Sequence, residues 1–126
     1  MELQADEARL LLNAAMLAAG WNRFGIAEGI LSALERFRPG AEALDVARVV
    51  ILLNRRQFAD AVLFIDSQGL KRHPASGMLT ALRGLALIHQ GKRKAAIGCL
   101  KSASESGDSA AADIAKGLMN VRDYGN

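Results

Sequence analysis

Asn54-Arg55-Arg56-Gln57-Phe58-Ala59-Asp60-Ala61, near the middle of a chain of 126 residues, is one of three copies of a pattern. Phe58 and Ala61 lie three apart, and Phe24 and Ala27 repeat that pair 34 residues earlier. Arg93 and Ala96 take the same two places 35 residues later, with the aromatic lost. Each pair follows a turn-like punctuation: Gly20-Trp21-Asn22, then Asn54, then Gly91. Each is preceded and followed by an apolar run with helical spacing. The unit is helix, tight turn, helix, with a period of about 34 residues.

The register extends further when Asn22, Arg56 and Gly91 are taken as the same point. Seven residues upstream stand Ala15, Val49 and Gly84. Five residues downstream stand Ala27, Ala61 and Ala96, and nine downstream stand Leu31, Ile65 and Leu100. At twelve downstream the copies diverge, with Leu34, Gln68 and Ala103. Pro39 lies seventeen downstream in the first copy, and Pro74 is one residue late in the second. Residues without bulk are needed where two helices of a hairpin approach closely, and a proline stops the second helix. This period and these positions resemble the tetratricopeptide repeat.

Composition agrees with helices. The chain is 51% hydrophobic, much of it Ala and Leu, with six aromatic residues; close helix contacts use such residues and strands do not. The length is one domain's worth. A net charge of +3 is mild and gives little support to nucleic-acid binding. Cys99 is the single cysteine, so no internal disulfide can form, which suits a reducing compartment. The acidic start Met1-Glu2-Leu3-Gln4-Ala5-Asp6-Glu7 lacks the basic region of a signal peptide. The apolar run Leu10 to Gly20 is too short to span a bilayer. Cytoplasm is the expected location.

In chain order, helices are expected at about 4–19, 23–37, 41–54, 57–67, 76–89, 93–105 and 109–122. Gly20 is expected just past the first of them. Pro39-Gly40 breaks the chain, Gly69 through Ser76 is the longest break, and Asp108 is the expected N-cap of the last helix. In that helix Ala111, Ile114, Ala115, Leu118 and Val121 face one way, and Tyr124-Gly125-Asn126 is expected to fray. The fold class is all-α: repeats at about 4–40, 41–75 and 76–107, and a capping helix at about 108–123. The resemblance implies a short right-handed solenoid whose first helices line a concave face. Carrying the usual concave positions onto this chain gives Leu12 and Met16 from the first copy and Val46, Val50 and Leu53 from the second. The third copy supplies Met78, Ala81, Leu85, Ile88 and His89. Three helices spaced about 8–10 Å apart make a trough roughly 20 Å across, the length of a guest helix of about 14 residues. An apolar strip of that size points to helix-in-groove recognition; the plainer alternatives are packing against facing helices or a subunit interface. Tetratricopeptide proteins that grip C-terminal carboxylates put Lys, Asn and Arg at such positions. Here they hold Leu12, Met16, Val50, Met78 and Leu82, so no carboxylate clamp is present.

Chemical sites are not evident. His73 and His89 have no ligand partners at metal spacing, and no metal or cofactor is implied. Cys99 reads as a small packed hydrophobe without a sequence-local activator. There is no phosphate loop and no nucleophile motif. Arg55-Arg56, Lys71-Arg72 and Lys92-Arg93-Lys94 fall at turns and read as solvated, without the aromatics of a nucleic-acid platform.

Val46-Ala47-Arg48-Val49-Val50-Ile51-Leu52-Leu53-Asn54-Arg55 followed by Phe58-Ala59-Asp60-Ala61 resembles the central repeat of the tetratricopeptide-type needle-subunit chaperones of bacterial type III secretion systems. Those chains also carry Leu-x-Asn-Arg at a helix end, then an aromatic and Ala-x-Ala. Asp108 to Arg122, with Gly117-Leu118-Met119, is similar to their closing helix. The resemblance runs from about Leu10 to Arg122 and is weakest around Trp21 and Phe24, where the family often has polar residues. It implies a chaperone in the bacterial cytoplasm that holds the amphipathic C-terminal helix of a needle subunit in its groove and prevents premature polymerisation. It also implies a second, small helical chaperone on the N-terminal part of the stack, here Leu10, Leu11 and Ala14 with Trp21 and Phe24. No catalysis, nucleic acid or membrane insertion is expected. The alternative is a generic or self-associating tetratricopeptide scaffold.

Overall fold

The computed structural model describes the backbone of residues 5–120 and the side chains of residues 9–120. Val121 and Tyr124-Gly125-Asn126 lie outside them. The described residues form helices and no strand: α1 (Ala5–Gly20), α2 (Phe24–Phe37), α3 (Glu42–Asn54), α4 (Phe58–Phe64), α5 (Leu70–Arg72), α6 (Gly77–His89), α7 (Arg93–Ser104) and α8 (Ser109–Met119). A π-helical turn, Ile65–Gly69, joins α4 to α5. The fold class is therefore all-α. The chain divides between Arg56 and Gln57 into two compact units.

The turns explain why the helices stop where they do. Asn22 (φ 62°), Arg56 (φ 57°) and Gly91 (φ 76°) are left-handed, and each follows an apolar helix. After α1 the Arg23 N–H reaches the Ala18 carbonyl at 2.7 Å and the Asn22 N–H reaches Ala19 at 3.0 Å. After α6 the Lys92 N–H reaches Leu87 at 2.9 Å and the Gly91 N–H reaches Ile88 at 3.0 Å. Both pairs are Schellman closures, which satisfy the last carbonyls of a helix. The residue after each left-handed position has nearly the same backbone: Arg23 (−93°, 60°), Gln57 (−93°, 66°) and Lys92 (−93°, 68°). One expectation is corrected here. Gly20 does not close α1; it is the last helical residue, and Asn22 takes the left-handed conformation. Asparagine tolerates that region because its short polar side chain compensates for the steric cost.

In the first unit α1 packs on α2 and α3, and α2 also packs on α3. Ala15, Ala18, Ala19, Ala27, Leu31, Leu34, Leu44, Ala47 and Ile51 form its core. Alanines from α1 and α2 bring those helices close, and Leu31 and Ile51 fill the volume. In the second unit α6 is central, against α4, α7 and α8. A Cβ on Gly84 would stand 2.8 Å from Leu100 Cδ2 and 3.3 Å from the Ala96 carbonyl. That position thus has to be glycine for α6 and α7 to approach as they do. All nine positions aligned in the register, from Ala15, Val49 and Gly84 through Leu31, Ile65 and Leu100, are buried.

A further difference concerns an element end. The break expected over Gly69 through Ser76 is shorter, because the chain stays helical through the π turn and α5 to Arg72. Gly69 is buried there, where a Cβ would lie 3.1 Å from Leu79 Cδ1. Ser76 then caps α6 by accepting from the Leu79 N–H at 3.1 Å. Asp108 caps α8 as expected, accepting from the Ala111 N–H at 3.1 Å. On α8, Ala111 and Ala115 are buried, whereas Ile114 points to solvent.

Candidate protein-binding surfaces

An exposed apolar surface lies on α1 and the turn after it. Leu10 is 68% exposed, Leu17 53% and Trp21 71%. With exposed Ala14 between them they recur at i, i+4, i+7 and i+11, which is one face of a helix. Leu11 sits beside this face and is exposed as well. Four of the five residues expected at a co-chaperone interface are therefore open to a partner. Phe24 is the exception. It is half-buried against the first unit's core, and the Arg55 guanidinium covers its ring at 5.0 Å.

The same positions counted 34 and 35 residues further along the chain have different surroundings. Leu10 and Leu17 lie 34 residues before Leu44 and Ile51, which lie 35 before Leu79 and Ala86. The later four are all buried. Leu44 and Ile51 belong to the core shared with α1 and α2, and Leu79 closes against Gly69 in the π turn. On α3 and α6 this phase thus meets preceding helices, and on α1 it meets solvent. The polar anchors of that phase are also missing from α1. Arg48 donates to Glu28 at 3.1 Å and Arg83 pairs with Asp66, while the equivalent place on α1 is Ala14.

The ten positions expected to face a client helix divide differently. In the first unit Leu12 and Met16 are half-buried against the core, and Val46, Val50 and Leu53 are half-buried on α3. In the second unit Met78 and Leu85 are half-buried and His89 is exposed, all on one face of α6. His89 stacks on the Phe58 ring with centroids 4.4 Å apart and planes 3° from parallel. Ala81 is a correction: it is fully buried with Leu100, Ala103 and Ala115, so it cannot touch a client. Ile88 packs against that same cluster from its edge. The cause is helical phase. Ala81 and Ile88 share a stripe with Gly77 and Gly84, the glycines that let α7 and the loop before α8 come close. A Cβ on Gly77 would run into Ser106 Oγ and lie 3.3 Å from Ala111 Cβ. Leu82, another position that lacks a carboxylate clamp, is buried at 7% exposure.

Sequence reasoning missed one polar cluster. Arg83 on α6 grips Asp66 with two bonds, Nε to Oδ1 at 2.8 Å and Nη2 to Oδ2 at 3.1 Å. Its Nη1 contacts Cys99 Sγ on α7 at 3.1 Å. The hydrogen bond to Asp66 holds the Arg83 guanidinium above its ordinary range, against the opposing effect of burial. Cys99 is thus half-buried beside a guanidinium rather than only a packed hydrophobe. The partners of Arg83 are 16 and 17 residues away on other elements, so no local motif signals them. Asp45 is buried at 1% exposure within α3, and an acid inside an apolar run is the sequence signal for it.

Among the described residues no three of His, Cys, Asp or Glu are grouped to hold a metal ion, and no helix is long and apolar enough to cross a membrane. Comparison with protein-family models, with curated proteins and with solved structures finds no match.

Proposed function

We propose that this chain is a protein-binding chaperone built from three tetratricopeptide-like repeats and a capping helix, acting in type III secretion in the bacterial cytoplasm. Its client is the amphipathic C-terminal helix of a needle subunit, held on the apolar positions of the first helix of each repeat. A second, small helical chaperone covers the outer face of α1. The observation that carries this reading is the open face of Leu10, Leu17 and Trp21. The counterparts of Leu10 and Leu17 at that spacing, Leu44 and Ile51 on α3 and Leu79 and Ala86 on α6, are buried, so leaving Leu10 and Leu17 in water forfeits apolar burial of about 1.5–3 kcal/mol per large side chain. A face of that shape is satisfied by another helical element. Three turns of the same conformation, at Asn22, Arg56 and Gly91, support the repeat architecture. The residue-level resemblance around Asn54-Arg55 and Phe58-Ala59-Asp60-Ala61 supplies the identity of the client.

The test is co-expression with the small helical proteins encoded beside it, followed by native mass measurement. A discrete 1:1:1 complex is expected. Leu17→Glu should release the small helical partner, and Val50→Glu or Leu85→Glu should release the needle subunit while helical content is retained. A homodimer that captures neither protein, and that Leu17→Glu dissociates, would replace this reading with a self-associating scaffold.

A further inference from the structure

We propose that the second helix pair carries a one-residue insertion, stored in the π turn Ile65–Gly69. This inference rests on the repeat register of the proposed function and is independent of its client and partner. The left-handed residues supply the ruler. Asn22 and Arg56 are 34 residues apart, and Arg56 and Gly91 are 35 apart. The extra residue can be placed. Counted from its own turn, Ala61 keeps the offset of Ala27 and Ile65 keeps the offset of Leu31, and all four are fully buried. Beyond Ile65 every landmark comes one residue late. The helix ends at Phe37 in the first pair and at Arg72 in the second, offsets of 15 and 16. The next residues share a backbone conformation, Arg38 at (−140°, 75°) and His73 at (−131°, 70°). Pro39 and Pro74 follow. Ala41 and Ser76, extended at the start of the next helix, close the comparison at offsets of 19 and 20. The insertion therefore lies after Ile65 and before His73.

The π turn occupies that interval, and no other occurs among the described residues. In it the Leu70 N–H reaches back five residues to the Ile65 carbonyl. A π turn takes up one residue more than an α turn and leaves the following residues facing nearly the same way. Had the residue been absorbed as regular α-helix, everything after it would be rotated by about 100°. Gly69 would leave Leu79, and the loop conformation at His73 would not match Arg38. The wide turn is fixed in place by its contacts with α6: Arg83 on both carboxylate oxygens of Asp66, and Leu79 against Gly69.

Deletion tests this in the full chain. Gln68 and Ser67 are both exposed and lie inside the turn. Removing either one should convert the π turn to α-helix, keep the far-UV helical signal, and leave Tm within about 5 °C of the parent, a change on the order of 1 kcal/mol. Lys101, exposed in the regular helix α7, is the control. Its deletion rotates Ala103 out of the core and should lower Tm by more than about 10 °C or prevent folding. If the Gln68 and Ser67 deletions cost as much as the Lys101 deletion, the turn is an integral part of the fold and the insertion is refuted.

Discussion

At the scale of single residues, two glycines on neighbouring helices carry opposite expectations. Gly84 has no room for a methyl group, because Leu100 and the Ala96 carbonyl already occupy it. Leu100 is fully buried and has nowhere to retreat. Gly84→Ala should therefore destabilise by about 1–3 kcal/mol, the usual cost of overpacking, despite better helix propensity. Gly98, inside α7, meets nothing within 4 Å, so Gly98→Ala should stabilise by up to about 1 kcal/mol. Denaturant midpoints of the two variants give the comparison, and a shared sign would contradict the packing described for α6 and α7. Arg56 offers a third case. It holds a left-handed backbone with a side chain that disfavours it, at a cost of roughly 1–2 kcal/mol. Arg56→Gly should recover about 1 kcal/mol, less the entropy glycine adds to the unfolded chain, and thermal unfolding would report the gain.

At the scale of elements, Asp66 and Arg83 join the π turn to α6. The pair is partly exposed, with side-chain accessibilities of 28% for Arg83 and 45% for Asp66, so its worth is discounted for solvent screening. Asp66→Asn should cost no more than about 1 kcal/mol and should make unfolding less sensitive to added salt. The Arg83 pKa is raised in the folded state. A raised pKa contributes stability that is complete below the unfolded value and is lost only as pH climbs through the folded one. For a guanidinium that range lies far into alkali, so the Arg83 contribution should stay flat from neutral to mildly alkaline pH, as urea melts across that range would reveal. The elements also show what the sequence made legible. The pairs Ala27 with Leu31, Ala61 with Ile65 and Ala96 with Leu100 could be read because each contact places small and large residues at a fixed offset from a turn. The π turn could not, since its hydrogen bonds distinguish it and spacing only hints at it through the late Pro74. Spacing alone puts Ala81 and Ile88 on an open face, because periodicity gives a helix several apolar stripes without saying which neighbour each one meets. The glycines on their own stripe, Gly77 and Gly84, were the signal that this stripe is the closely packed one.

At the scale of the whole molecule, each of the two units has an apolar core of its own, and this separates core from surface in a mutational test. Ala81→Glu would bury a carboxylate without room or partner beside Leu100 and Ala115, and should abolish cooperative unfolding of the second unit. Leu85→Glu, one turn on and half-buried, should leave circular dichroism close to that of the parent. Equal loss of structure in the two variants would place Leu85 in the core and remove it from any client surface. The exposed end of α1 has a different consequence. Trp21 is the single tryptophan of the chain and is largely exposed to water. Its fluorescence in the folded protein should therefore resemble that of a solvated indole, and unfolding should move the emission maximum little. Docking of any partner on α1 should shift that emission to the blue and shield it from iodide quenching. The protein thus carries an intrinsic optical probe that is nearly blind to its own denaturation and responsive to company.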